Sequence, residues 1–482
     1  MFVGLDLGTS GVKAVLVDHR GDVIARADAR YGAANPAPGY SEQDPADWVL
    51  GVSGVLADLR AQQTGAFDAI EGLALSGHMH GAVLLDSEGT VLRPCILWND
   101  TRSHVEAARL NAMPDAQTLS GNIVFPGFTA PKLAWVAAHE PEVFHRVARV
   151  VLPKDYVLWW LTGRYVTDMS DAAGTAWLDV GKRTWSDSLL ANGGMRVDQM
   201  PELLEGTAVV GPVQAARAVL GLPKTTLVVA GGADNAVSAC GVGALGEGDG
   251  FVSLGTSGVV LAGRDRYAPR AESAVHTFCH AVPERWYQMG VVLAATDSLN
   301  WLSRVTGQSP GALSDSVADR LLPPGAVRFY PYLSGERTPH NDAQIRGGFT
   351  GLEVATSPQD LTRAVMVGVS FALRDSLEAL RSTGAQLDSA LAIGGGSQSD
   401  HWTTLLATIL NIPLERPAEG AFGAAIGAAR IAICGVTDAA PQTVMIKPPI
   451  KDIIAPDTDH VAAYDDAYRG FSAAYPTLKA MP

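Results

Sequence analysis

The sequence predicts an α/β protein built from two related halves. An apolar stretch, a Leu-Gly-Thr-Ser-Gly turn and a second apolar stretch occupy residues 2–16, and the same order recurs at residues 250–262. Strand-like and helix-like segments alternate through both halves. A five-residue identity in matched contexts, about halfway along the chain, indicates a duplicated domain. We place the boundary in the glycine-rich stretch 241–250, which gives domains of residues 1–245 and 246–482.

The composition narrows the class of protein and of partner. With 47% apolar and 18% charged residues, the 482-residue chain can fill sizeable cores. A net charge of −14, with the basic residues scattered, argues against a nucleic-acid partner. The four cysteines are far apart, which argues against a zinc site or a disulfide framework and favours a reducing compartment. No signal peptide and no membrane-length apolar stretch is present, so we expect a cytoplasmic protein without a membrane partner.

Local signals justify the elements in order. Residues 2–6, 12–18 and a third strand from Val23 read as a meander of hairpins rather than as a strand followed by a helix. Asp44 and Pro45 predict a helix start, and strands follow at 72–75, 82–86 and 94–98. In the second half a long helix opens at Pro358 and stops at Gly384, and a helix of small residues covers 421–429.

The two repeated turns are candidate phosphate loops. Glycines let the backbone approach closely and turn its amides inward, and hydroxyl groups add donors, so each turn can form a nest for phosphate oxygens. An ordinary hairpin turn is the alternative for one copy, but two copies in matched contexts favour phosphate binding. The residues concerned are Thr9, Ser10 and Gly11 in the first copy and Gly255 and Thr256 in the second.

Only the first copy is flanked by charges. Asp6 precedes its turn and Lys13 follows it, whereas Ser253 takes the place of the acid in the second copy. A carboxylate there can hold hydrated Mg²⁺ that bridges phosphates, and the lysine can neutralise phosphate charge. We therefore expect the metal at the first loop alone.

Two further strands end in glycines. Residues 227–233 are apolar and lead into Asp234 and Asn235, which makes Asp234 the favoured general base towards a sugar hydroxyl, with a turn aspartate as the alternative. The strand at 391–393 runs into Gly394, Gly395 and Gly396, where bare backbone gives adenine or ribose room to lie; a flexible connector is the alternative.

Other motifs are weaker. Residues 241–246 match G-x-G-x-x-G, but Glu-Gly-Asp-Gly follows them, so we interpret them as the connection between domains. No G-x-x-x-x-G-K-[ST] motif occurs. The clusters at 76–81 and 97–100 carry imidazole, amide and indole groups, which suit a polyhydroxylated sugar, although a structural role is equally compatible with their spacing. No third ligand accompanies His78 and His80 to suggest a metal site.

Taken together, these motifs resemble the FGGY carbohydrate kinases, members of the superfamily of actin, hexokinase and the heat-shock chaperone ATPases. The resemblance covers nearly the whole chain. It runs through residues 4–13, 41–45, 79–81, 96–100, 126–132, 152–156, 170–175, 231–235, 253–258 and 331–340. The chain departs from the family pattern at His78, where glutamine is usual, at Ala138, which replaces a polar residue, and at Val367, which replaces an acid.

The resemblance implies two ribonuclease-H-like, actin-like domains flanking a central cleft, with ATP and Mg²⁺ as cofactors and a sugar as acceptor. It implies D-xylulose as the sugar, and the Met79-His80 pair, where glycerol kinases carry Arg-Glu, argues against glycerol. By the same resemblance Asp234 is the base and Asp6 organises Mg²⁺. The two loops, with Lys13, hold phosphates, and the glycines at 394–396 hold adenosine. The implied sugar-pocket residues are Met79, His80, Trp98, Asn99, Asp234 and Asn235.

Other functions stay open at this stage. A kinase for another pentulose or for a pentitol would carry the same motifs. An ATPase that drives a protein partner would use the same loops, but little chain follows the second domain to bind a peptide. A catalytically silent sugar sensor conflicts with the presence of Asp6, Lys13 and Asp234. The sequence leaves the oligomeric state open, a homodimer included.

Overall fold

A computed structural model describes residues 1–418 and 423–481. Two large sheets organise the described chain, one in each half. The strands of the first half are β1 (Phe2–Gly8), β2 (Gly11–Val17), β3 (Val23–Arg30), β4 (Glu42–Gln43), β5 (Gly72–Gly77), β6 (Val83–Leu85), β7 (Cys95–Ile96), β8 (Arg149–Val151), β9 (Val166–Asp168), β10 (Leu178–Asp179), β11 (Thr184–Trp185), β12 (Glu202–Leu204), β13 (Val209–Pro212) and β14 (Leu227–Ala233). Its helices are α1 (Pro45–Gln62), α2 (Thr64–Phe67), α3 (His104–Asn111), α4 (Ala116–Ser120), α5 (Thr129–His139), α6 (Pro141–His145), α7 (Pro153–Thr162), α8 (Met169–Ala173), α9 (Asp187–Asn192) and α10 (Asp234–Val242).

The second half is built in the same way. Its strands are β15 (Gly250–Leu254), β16 (Gly258–Arg264), β17 (His276–Cys279), β18 (Trp286–Val292), β19 (Arg328–Tyr330), β20 (Gly348–Thr350), β21 (Ala390–Ile393), β22 (Leu414–Pro417) and β23 (Ile450–Ile454). Its helices are α11 (Thr296–Thr306), α12 (Pro310–Asp315), α13 (Pro358–Ser382), α14 (Asp400–Leu410), α15 (Gly423–Thr437), α16 (Pro441–Val444) and α17 (Thr458–Lys479).

The two sheets share one topology. The first has the order β13-β14-β5-β1-β2-β3, and the second has the order β17-β18-β16-β15-β21-β22-β23. In each, the opening strand pairs antiparallel with the strand after the turn and parallel with a later strand: β1 with β2 and β5, β15 with β16 and β21. The predicted meander is confirmed, because β1, β2 and β3 form consecutive antiparallel pairs. The predicted duplication is also present, since corresponding strands occupy corresponding places.

Local sequence signals account for the long helices. Asp44 caps α1 by accepting a hydrogen bond from the Ala46 amide at 2.9 Å, and Pro45 is the first helical residue, as predicted. In α13, Ser357 and Asp360 form a reciprocal capping box. Part of the predicted helix at 421–429 lies outside the described residues, and the described part begins at Gly423. Within residues 1–418 and 423–481 no helix combines the length and hydrophobicity needed to span a bilayer.

One helix of the second half packs on the first sheet. A Cβ added to Gly4 of β1 would lie 1.9 Å from the carbonyl oxygen of Ala425 in α15, so this contact requires a glycine. The same helix meets α10, where a Cβ on Gly241 would lie 2.0 Å from the Gly423 oxygen. This corrects the interpretation of 241–246 as a connection: Gly241 and Val242 end helix α10, and the connecting segment is 243–249. Helix packing, not chain reversal, explains the glycine at 241.

Candidate active site

The first phosphate-loop candidate is a tight turn between β1 and β2. Asp6 and Lys13 face each other across this strand pair as register partners. The Asp6 side chain is buried and accepts a hydrogen bond from the Ser76 hydroxyl of β5 at 3.0 Å. Burial raises the pKa of Asp6, while the bond from Ser76 and the charge of Lys13 lower it. A carboxylate beside a lysine at the base of a turn can serve a metal-bound phosphate.

The turn itself contacts the predicted sugar residues. The Trp98 indole nitrogen donates to the Thr9 hydroxyl at 2.9 Å, and the Gln43 amide donates to the Thr9 carbonyl at 2.6 Å. The carbonyl of Ser10, the next residue, accepts from the amide of Tyr31 at 3.3 Å. Gly11 must be small, because a Cβ there would lie 2.4 Å from the Ala29 oxygen. The phosphate turn and the indole predicted to cover the sugar therefore form one surface.

Asp234 is the first residue of α10, directly after β14. Ala233 and Leu7 both pair with Gly77 of β5, which lies between their strands, so Asp234 and Asp6 flank the carboxyl end of the same strand. Burial first, and the negative charge of Asp6 second, raise the pKa of Asp234 to about 7. A carboxylate whose pKa is near neutrality is matched to accept a proton in the transition state at neutral pH.

Asn235 holds the Asp234 side chain in place. Its backbone amide and its side-chain amide both donate to Asp234 Oδ1, at 2.7 and 2.9 Å. These bonds involve one oxygen and leave Oδ2 for a substrate hydroxyl. The predicted pair of Asp234 and Asn235 thus acts as one unit at the end of β14.

His80 is fixed on several sides. Its Nδ1 lies 2.7 Å from the Gly174 carbonyl, which requires Nδ1 to carry the hydrogen and leaves Nε2 as an acceptor. Its ring stacks on Phe128 with centroids 4.5 Å apart. The buried Lys132 ammonium donates to the His80 carbonyl at 2.8 Å, where the backbone is left-handed at φ 71°. Burial, assisted by the charge of Lys132, lowers the pKa of His80 to about 3, so the ring is neutral.

Met79 joins the two halves at this point. It is buried, and its sulfur accepts a hydrogen bond from the Tyr287 hydroxyl of β18 at 3.8 Å. Its predecessor His78 is also buried, stands edge-on to Trp48 at 5.6 Å and has no hydrogen-bond partner for either ring nitrogen among the described residues. The departure from the family pattern at His78 therefore falls in packed interior.

The exposed pair Trp98 and Asn99 lies on a loop held by an ionic anchor. Asp100 is buried and accepts from the Ser41 amide at 2.6 Å. Arg102 donates to both oxygens of the same carboxylate, at 2.7 to 3.0 Å. This anchor explains how a loop can present two exposed polar side chains in a defined place.

The nucleotide residues predicted in the second half also come together. The Gly255 carbonyl accepts from the amide and the hydroxyl of Thr296, and the Thr256 carbonyl accepts from the Ala295 amide, which fixes the second turn. Gly394, at φ 90°, lies against this turn, since a Cβ on it would be 2.8 Å from the Leu254 oxygen. Gly395 and Gly396 open the 3₁₀ turn Gly395–Gln398. Turn and glycine run therefore form one bare backbone surface.

Arg337 was not among the predicted site residues. Its guanidinium lies 4.4 Å from the Phe125 ring centroid of the first half, and its charge lowers the pKa of His80 and of His276. No ion pair involves it within residues 1–418 and 423–481. The segment 331–340 was singled out as a match, but its sequence carries no signal for this long-range contact.

No group of three or more metal-ligating side chains occurs among the described residues. Mg²⁺ bound with nucleotide commonly needs only one or two carboxylates, with water and phosphates completing its shell. Buried Asp6 beside the phosphate turn fits that donor set.

Two sheets of one topology, each opening on a glycine turn, with an acid at a strand end of one, define a two-domain nucleotide-dependent phosphotransferase. The N-terminal and C-terminal domain profiles of the FGGY family of carbohydrate kinases match residues 1–241 and 250–435. The chain belongs to the FGGY family of carbohydrate kinases, and it is a kinase that uses ATP.

Named relatives agree with this assignment. The chain is 42% identical to the xylulose kinase of Escherichia coli (strain K12), over 99% of both chains. It resembles the crystal structure of a "xyloylose kinase" from Brucella ovis with a TM-score of 0.97 and 51% identity, covering 100% of this chain and 99% of the other. A gluconate kinase from Lactobacillus acidophilus aligns with a TM-score of 0.93 at 25% identity, covering 99% and 98%. The predicted α/β architecture of two actin-like ATPase domains is confirmed.

Proposed function

We propose that this chain transfers the terminal phosphoryl group of ATP to the terminal hydroxyl of D-xylulose, giving ADP and D-xylulose 5-phosphate. One observation carries the chemistry: Asp234 sits across β5 from Asp6, buried, with a pKa raised to about 7. The choice of sugar is supported by the relatives, since xylulose kinases match at 42% identity over 99% of this chain.

In this proposal Asp234 Oδ2 accepts the proton of the attacking hydroxyl while Asn235 restrains Oδ1. His80 is neutral, so its Nε2 accepts a hydrogen bond from a sugar hydroxyl without placing a second cation near the phosphates. The Trp98 indole covers C–H surface, and Met79 and Asn99 complete the sugar pocket.

The phosphate-binding roles follow the two turns. Thr9, Ser10, Gly11 and Lys13 surround the transferring phosphoryl group. Asp6 would hold Mg²⁺, which supplies charge neutralisation on the phosphates. Gly255 and Thr256 bind the remaining phosphates, and the glycines at 394–396 receive adenosine. Phosphoryl transfer asks mainly for such positioning and charge compensation rather than for covalent chemistry.

We further propose that domains 1–245 and 246–482 close on the substrates and exclude water, which otherwise competes as acceptor. The four cysteines are free and buried, in keeping with a cytoplasmic location. The proposal includes no nucleic-acid or membrane partner, and light scattering decides between a monomer and a homodimer.

The test is coupled ADP release with ATP and Mg²⁺ against D-xylulose, L-xylulose, D-ribulose, L-ribulose, glycerol, gluconate and xylitol. We expect the highest kcat/KM with D-xylulose. A higher value with another pentulose or with xylitol would keep the kinase and change the substrate. ATP turnover that no sugar stimulates would contradict the proposal.

A further inference from the structure

A short segment around α8 contacts both the proposed base and the proposed sugar ligand. The Ser170 hydroxyl oxygen accepts a hydrogen bond at 2.9 Å from the amide of Ala233, the residue directly before Asp234. Four residues further on, the Gly174 carbonyl is the partner of His80 Nδ1 at 2.7 Å. One segment therefore sets the position of two side chains that must meet the same substrate.

This segment is anchored by a buried lysine of α7. Lys154 Nζ lies 2.6 Å from Asp155 Oδ1 and 3.0 Å from Asp168 Oδ1, and all three side chains are fully buried. The other oxygen of Asp168 accepts from the backbone amide of Ser170 at 2.7 Å and from its hydroxyl at 2.5 Å. A continuous chain of charged and hydrogen-bonded groups thus runs from Lys154 through Asp168 and Ser170 to Ala233.

A third carboxylate lies beside this chain without being part of it. Asp171 Oδ2 is 3.6 Å from Lys154 Nζ, and neither Asp171 oxygen has a hydrogen-bond partner in the described residues. Burial, with Asp155, Asp168 and Asp234 nearby, raises the pKa of Asp171 well above its ordinary value. Lys154 therefore pairs with Asp155 and Asp168, while Asp171 is a neutral acid at neutral pH.

We propose that Lys154, Asp168 and Ser170 are positioning residues for phosphoryl transfer, which together hold the start of α10 and the ring of His80 in register with each other. The proposal rests on the proposed roles of Asp234 and His80. A rotation of the first turn of α10 would displace the Asp234 carboxylate, and misplacement by about 1 Å can cost on the order of 10²-fold in rate.

The first test removes one hydroxyl. Ser170→Ala deletes the acceptor for the Ala233 amide; its matched control is Ser370→Ala, another buried serine, whose hydroxyl bonds only to the Met366 carbonyl at 2.8 Å in α13. We expect kcat to fall about tenfold or more in Ser170→Ala. The control should keep wild-type kcat, and both variants should keep the KM for ATP. Equal kcat in the two variants would overturn the positioning role of Ser170.

The second test compares two carboxylates that share the same lysine. Asp171→Asn mimics a neutral acid and should keep kcat, whereas Asp168→Asn should lower kcat and raise the sugar KM. The ¹⁵N shift of the His80 ring, assigned from its loss in His80→Asn, should move in Asp168→Asn and in Lys154→Met but not in Asp171→Asn. An effect of Asp171→Asn as large as that of Asp168→Asn, or an unmoved His80 signal in Asp168→Asn, would overturn the proposal.

These readouts separate the two proposals. Wild-type turnover with D-xylulose is measured first, and its absence contradicts the proposed substrate alone. The variants are then compared with wild type on whichever sugar of the panel supports turnover, and the His80 signal needs no turnover. If Lys154→Met does not fold, Ser170→Ala and the pair at 168 and 171 still decide the outcome.

Discussion

The two halves present the same hairpin with different chemistry. Asp6 of β1 pairs with Lys13 on one side and with Ser76 on the other, which makes a polar row across three strands. At the corresponding place in the second sheet, Ser253 lies between Val259 and Ile393. Duplication therefore supplied two backbone nests, but only the first has side chains that can hold a metal ion and compensate phosphate charge. The second offers bare backbone beside Gly394, which suits the nucleotide.

The comparison extends to the helices that follow. Helix α10 follows β14 and begins with Asp234, and α15 comes after β22, which has the corresponding place in the second sheet. The two helices pack against each other, with a Cβ on Gly427 only 1.9 Å from the Val237 oxygen. The acid that does chemistry and the glycine that permits close packing thus lie on equivalent elements with separate duties.

The largest expected effect is at Asp234. Asp234→Asn keeps the shape of the side chain but removes the proton acceptor, so we expect kcat to fall roughly 10²- to 10⁴-fold. ADP binding, measured by calorimetry, should be unchanged because the nucleotide residues lie elsewhere. Retention of most wild-type activity would remove Asp234 from the role of base.

A pair of variants sharpens the difference between the two hairpins. Asp6→Asn should lower kcat roughly 10²-fold, the scale of losing one electrostatic contact to a transition state. Ser253→Ala, at the matched position of the second sheet, should stay close to wild type. The Mg²⁺ dependence of the residual rate should weaken only in Asp6→Asn. Equal losses in both variants would mean that the loops are functionally equivalent.

The pH profile tests the electrostatic coupling between the two acids. Asp234 must be ionised to act as a base, and its pKa is raised to about 7, so kcat/KM should rise with pH through about 7. Because the charge of Asp6 contributes to that increase, the rise in Asp6→Asn should lie at lower pH. His80 is neutral across this range, so His80→Gln should leave the position of the rise unchanged. A rise that moves in His80→Gln and stays in Asp6→Asn would contradict the assignment.

The smallest effect concerns packing between the halves. Gly427→Ala must push apart α15 and α10, and overpacking of this kind costs about 1–3 kcal/mol of unfolding free energy. The control is Gly470→Ala in exposed α17, where no atom lies within 4 Å of the added Cβ and helix propensity predicts a gain of about 0.5–1 kcal/mol. Urea unfolding measures both. A stabilised Gly427→Ala would contradict the close contact.

Sequence reasoning succeeded where the signal is local. The cap at Asp44, the meander of β1 to β3 and the repeated turn are each written in a few adjacent residues, and all are present. It failed where the cause is tertiary. The glycine-rich stretch at 241–246 was interpreted as a connection, because nothing adjacent reveals that α15 crosses to the first sheet and needs Gly241.

The same division holds in the site. The predicted residues Asp6 and Asp234 were found from strand ends and turns, and the roles assigned to them remain predictions. Ser76, Lys132 and Arg337 gave no local signal, because their contacts join distant segments: Ser76 with Asp6, Lys132 with His80, and Arg337 with Phe125. Their chemistry depends on packing that only the folded chain supplies.

The most direct measurement is ³¹P NMR of the purified chain with ATP, Mg²⁺ and D-xylulose, run beside Asp234→Asn. The account predicts that the wild-type chain converts the terminal phosphate of ATP into a phosphomonoester coupled to the C5 protons of the sugar, and that Asp234→Asn does not. Release of inorganic phosphate without a sugar ester, or equal ester formation by the variant, would contradict it.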